Sequence, residues 1–141
     1  MNFKTKCIMI SEKEVPNILE NELPEITSEI KESKRNIFRV LNSFTNYTKK
    51  CAEIGNIDKL KLCFSIADKF LKEGNNVVKS AVENVYVFSV SSLFDIVSHR
   101  QEQVKNILPE SLKIAYLKHV TELYALADWK DENFTNDNID Y

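Results

Sequence analysis

The chain has 141 residues, 43% of them apolar and 28% charged, with only two Gly, three Pro, two His and three Cys. This length gives a single domain that buries about two thirds of the surface its unfolded chain exposes. Two glycines cannot build a phosphate-cradling loop or a dinucleotide fingerprint, each of which needs several in one short segment. Two histidines and three scattered cysteines leave little for zinc or a redox pair, so no cofactor, no metal site and no enzymatic activity are expected.

The formal net charge of −2 divides unevenly along the chain. Residues 128–141 carry five acids against Lys130 alone, a net −4, which leaves the body at +2. A body so near neutrality has no concentrated Lys/Arg surface to displace counterions from a phosphate backbone, and no nucleic-acid partner is expected. No apolar stretch reaches 18 residues without a charge, so no membrane span is expected either. Between Met1 and Ser11 the apolar run is only Ile8, Met9 and Ile10, too short for a secretory leader, and the cysteines form no C-x-x-C pair. Both features point to a reducing, cytoplasmic setting.

Apolar residues recur at three- and four-residue spacing almost throughout, which predicts an all-α fold. A first short helix is expected from near Glu14 to just before Pro24, with Pro16 tolerated in its first turn. A long second helix, residues 31–54, carries Ile37, Phe38, Leu41, Phe44, Thr48, Cys51 and Ile54 on one stripe and stops at Gly55. Asp58 would cap a third helix, residues 59–73, with Leu60, Cys63, Phe64, Ala67, Phe70 and Leu71 inward and Gly74 at its end. Both glycines are thereby spent as helix stops.

Residues 76–98 are apolar nearly all round, which places that helix at the centre of a bundle. A strand over the β-branched run Val85–Val90 is the alternative, but a lone strand would leave its ladder unpaired. A short turn of helix at 101–107, a break at Pro109 and a last helix over 110–127 complete the chain. Very short connections at 55–58 and 74–76 force antiparallel neighbours. The expected architecture is therefore a single-domain antiparallel bundle, or α-hairpin stack, of five to six helices over residues 1–127. Residues 128–141 follow as an acidic, flexible tail.

Few residues offer chemistry. Asp95 and His99 share one helix face at i,i+4 and could serve acid/base work, although a helix-end histidine with an ion pair explains them as well. His119 lies on the apolar stripe of the last helix and reads as a hydrogen-bonded core histidine. Cys51 and Cys63 read as small core hydrophobes. Glu83 and Asn84 interrupt the most apolar helix, and so must either face a binding cleft or cap another helix end inside the core. The tail intersperses its acids with Trp129, Phe134, Ile139 and Tyr141, a composition common in segments that order on docking.

One stretch carries a resemblance. Leu60-x3-Phe64-x2-Ala67-Asp68-x2-Leu71, then Glu73-Gly74-Asn75-x2-Val78 and Ala81-Val-Glu-Asn-Val-Tyr86, with Leu108-Pro-Glu-Ser-Leu-Lys113 before Tyr116, resembles a family of small bacterial all-helical proteins classed as a domain of unknown function. The similarity runs from Phe44 to Tyr116 and concerns packing and helix caps. It implies the helical fold, and by analogy of size and composition an immunity- or antitoxin-type role.

The functional expectation is a non-enzymatic interaction module, most concretely an immunity protein that neutralises a cognate toxin. Its contact residues would be Glu83, Asn84 and Tyr86, with Asp128, Trp129, Asp131 and Glu132 of the tail as a second contact. The alternatives are a small helical enzyme or ligand-binding bundle using Asp95, His99 and His119, and a homodimeric structural or adaptor protein.

Overall fold

A computed structural model describes residues 9–34, 36–89, 106–119 and 121. Helix α1 (Val15–Glu22) has Pro16 in its first turn, where a missing N–H costs nothing, and buries Val15, Pro16 and Leu19. A 3₁₀ turn at Pro24–Ile26 leads into α2 (Thr27–Ser33). There follow α3 (Ile37–Ile54), α4 (Ile57–Glu73) and α5 (Asn76–Ala81), the last continuing directly into a π-helical segment, Val82–Val87. Residues 110–119 form a further helix, α6. Among the described residues the fold is all-α, and its extended backbone is limited to one isolated parallel bridge between Ile10 and Gly74. The strand weighed for residues 85–90 is helical as far as residue 89.

The single long helix expected over 31–54 is two helices. Asn36 adopts an extended backbone, and its side-chain oxygen accepts from the N–H groups of Phe38 (2.9 Å) and Arg39 (3.2 Å). A short amide that satisfies the orphan donors of a new helix competes with continuing the old one. The same chemistry opens the next helices. Asn56, rather than the expected Asp58, caps α4 by accepting from Lys59 N at 3.2 Å, and Asn75 caps α5 by accepting from Val78 N at 2.9 Å.

The two glycines do end α3 and α4, for different reasons. Gly55 takes the left-handed conformation (φ 77°), and the amides of Gly55 and Asn56 return to Ala52 O (3.2 Å) and Cys51 O (2.9 Å), closing the α3–α4 hairpin with a Schellman pair. Gly74 has an ordinary extended backbone (φ −71°), but a β-carbon there would sit 2.4 Å from Phe70 O and 2.6 Å from Val78 Cγ1. Closeness, not handedness, makes glycine necessary. The N-terminal strap passes this turn: Ile10 N donates to Glu73 O and Asn75 N to Ile10 O, each at 2.8 Å. Asn75 Nδ2 then donates to Glu12 Oε1 at 3.1 Å.

The core is organised on Phe44 of α3. Its ring stacks on Tyr86 of the π-helical segment (4.7 Å, 20°) and meets Phe70 of α4 edge-on (6.5 Å, 79°). Val40, Leu41, Leu60, Cys63, Phe64, Val78, Ala81 and Val82 are fully or almost fully buried around them. The inward stripe of α3 is displaced from the expected one: Val40 is inside, whereas Phe38 (52% exposed) and Ile54 (69%) are outside. Splitting the helix at Asn36 frees α3 to rotate its own apolar face inward. No helix among the described residues is long and apolar enough to cross a membrane.

Candidate functional site

Residues 76–89 are not apolar on all sides in the folded chain. Within the π-helical segment, Val82, Tyr86 and Val87 enter the core, while Glu83 and Asn84 are exposed; Val77 and Phe88 are exposed to either side of the segment. Inward residues four and five apart suit the wider i→i+5 turn, which π-helical segments often supply at functional positions. The segment is held by Tyr86, whose ring stacks on Phe44 and whose hydroxyl shares a 3.0 Å hydrogen bond with Thr48 Oγ1. Tyr86 was expected at a contact surface. At 1% exposure it is instead an anchor, and its burial holds the phenol strongly neutral.

Glu83 and Asn84 do face a cleft. With Val87 they form one wall, and Ala115, Lys118 and His119 of α6 form the other, around about 240 Å³. The walls carry a carboxylate, an amide, an ammonium and an imidazole beside the apolar side chains of Val87 and Ala115. Among the described residues no ion pair joins Glu83 to Lys118. The His119 ring is held edge-to-face by Phe88 (5.4 Å, 72°), itself 59% exposed, while His119 Nε2 is buried without a hydrogen-bond partner among the described residues. The expectation of a hydrogen-bonded core histidine is thus corrected at its Nε2: the residue is half-buried beside the cleft and this nitrogen finds no partner among the described residues.

The second wall is positioned from inside the protein. Asp68 of α4 is 6% exposed; its Oδ1 accepts from Leu112 N at 3.0 Å and its Oδ2 pairs with Lys72 at 3.1 Å. This carboxylate caps the start of α6 from another helix, the buried role open to Glu83 and Asn84 on sequence grounds. Its place in the α4 stripe, four residues after Phe64 and one after Ala67, is the signal for it. Lys118 had no distinguishing signal beyond its place beside His119.

A second polar group ties three elements together. Tyr47 of α3 donates its hydroxyl to Glu25 Oε2 in the 3₁₀ turn, and Lys59 of α4 pairs with the same oxygen at 3.0 Å. The hydrogen bond from Tyr47, with help from Lys59, holds the Glu25 carboxyl below its ordinary range. Cys51 and Cys63 are buried free thiols; burial raises both and pushes Cys63 up to about 12, so at neutral pH they are packing groups.

Asp95 and His99, and Asp128, Trp129, Asp131 and Glu132 with the rest of the tail, lie outside the described residues. Among the described residues no three His, Cys, Asp or Glu side chains gather as metal ligands would. No curated protein and no solved structure matches the chain. The family described as "Domain of unknown function (DUF7674)" matches residues 16–125, which extends past both ends of the resemblance noted from Phe44 to Tyr116. That match takes in every described helix but the first residue of α1, and by it the chain belongs to the DUF7674 family.

Proposed function

We propose that the protein is a non-enzymatic protein–protein interaction module, in its most concrete form an immunity protein that binds and neutralises a cognate toxin. The observation that carries this reading is the cleft between the π-helical segment and α6, with Glu83, Asn84, Lys118 and His119 on its walls and exposed Phe88 at its side. An exposed aromatic beside unpaired polar groups on a well-anchored backbone is the composition of a binding hot spot, because little ordering entropy remains to be lost on association.

The test is co-expression with the product of the neighbouring gene. The intact protein restores growth and co-purifies with that product, and Glu83→Lys with Phe88→Ala weakens the complex by at least about tenfold while the circular dichroism spectrum is unchanged. Neither rescue nor co-purification by the intact protein would reject the reading.

A ligand-binding bundle is the second reading, and it is supported by His119 Nε2, buried with no hydrogen-bond partner among the described residues. It predicts a small molecule that co-purifies with the intact protein and is lost from His119→Phe. Native mass spectrometry that finds the bare chain alone excludes it.

A further inference from the structure

One face of α3 carries positive charge along most of its length, with Glu53 near its C-terminal end as the only acid of that helix. Residues 33–52 contain Lys34, Arg35, Arg39, Lys49 and Lys50 and no acid at all. Arg39, Asn42, Asn46 and Lys50 follow one another at helical spacing, all exposed, and their side chains have no partner among the described residues. Two hollows lie along this line and share Ser43. The first, about 590 Å³, is open and bounded by Arg39, Asn42, Phe38 and Val85; the second, about 190 Å³, is bounded by Asn46, Tyr47 and Lys50. Among the described residues no carboxylate lines the first. Glu29 lines the second, with one oxygen bonded by Ser28 Oγ at 2.7 Å.

We propose that this face of α3 binds an extended acidic segment of a protein partner. Arg39 and Lys50 are eleven residues apart, which is about 16 Å along a helix at about 1.5 Å per residue. Carboxylates four residues apart in an extended segment stand on one side of it, about 13 Å apart at about 3.3 Å per residue, and the long exposed side chains of Arg39 and Lys50 can lean inward to meet both. Between them the amides of Asn42 and Asn46 each offer a donor and an acceptor, which is what a peptide backbone needs. Phe38, 52% exposed in the first hollow, gives an apolar side chain of the segment a surface to cover. A nucleic-acid backbone is the poorer fit, since the whole chain carries −2 and acids stand beside the far end of the track. This site lies apart from the cleft of Glu83 and His119, and each stands or falls without the other.

The experiment titrates the full-length ¹⁵N-labelled protein with acetyl-Glu-Ala-Phe-Ala-Glu-amide, whose two Glu and Phe share one face of an extended chain, with the same peptide carrying Gln for both Glu, and with a ten-nucleotide oligothymidylate. The acidic peptide is expected to give saturable shifts at Arg39, Asn42, Asn46 and Lys50, weakened at least about threefold between about 50 and about 300 mM salt. The shifts are lost with the Gln peptide and in Arg39→Gln/Lys50→Gln, and retained in Lys61→Glu, an exposed charge change on α4. Circular dichroism confirms that both variants are folded. Four results each overturn the proposal: no shift along the track, equal binding of the Gln peptide, equal loss in Lys61→Glu, or tighter binding of the oligonucleotide. Shifts centred on Asn84 and His119 would also overturn it, while leaving the cleft reading in place.

Discussion

At the scale of single residues, the positions with the least chemistry to offer are the ones with the narrowest tolerance. Gly74 is fixed by three atoms that a methyl group would strike, two of Val78 and one a backbone carbonyl, that of Phe70, which cannot move without unwinding the end of α4. Gly74→Ala is therefore expected to cost about 1–3 kcal/mol, the range for overpacking, and urea denaturation will show it as a lower midpoint at unchanged slope. The glycine's position was legible as a helix stop. The reason for it was not, because a close approach between Phe70 and Val78 is a tertiary fact. Tyr86 shows the same limit: an aromatic next to two polar residues reads as surface until Phe44 and Thr48 are seen to occupy its ring and hydroxyl.

At the scale of elements, the all-helical class, the hairpin turn at Gly55 and the α4 stripe were all readable, since each depends on spacing within one segment. The break at Asn36 was readable in principle from its side chain but was hidden by apolar spacing that runs on through it. The π-helical segment was hidden more thoroughly: in a run that is apolar at almost every position, 3.6-residue and wider turns bury equally good sets. Element placement depends on Asp68, which joins α4 to α6. Asp68→Ala is expected to cost about 2 kcal/mol by uncapping Leu112, whereas Asp68→Asn keeps an acceptor and costs less. Hydrogen exchange checks the distinction: amides of residues 110–119 lose protection first in the alanine variant, ahead of those in α3.

At the scale of the whole molecule, pH acts at one site against the α3–α4 hairpin, Glu25 of the 3₁₀ turn, and at one within it, Cys63. Glu25 has a folded-state affinity for protons below the ordinary carboxylate value, so it adds stability above that value and loses it as pH falls through the depressed one. Tyr47→Phe removes the main cause, and the acid limb of the stability curve flattens in thermal melts taken between about pH 5 and about pH 2. The opposite sign holds for Cys63, raised by burial from 9.0 to about 12. Its contribution is complete below the unfolded value and declines as pH rises toward the folded one, and Cys63→Val makes the alkaline melting curve shallower. One consequence of the π-helical segment reaches beyond this chain. A wider turn is equivalent to one inserted residue in an otherwise α-helical run, so deleting a single residue within 82–87 would rotate the next helical positions, Phe88 among them, by about 100°. In an alignment of the family, a one-residue gap there would mark members whose aromatic corresponding to Phe88 points elsewhere, sorting those that share this exposed edge from those that share only the scaffold.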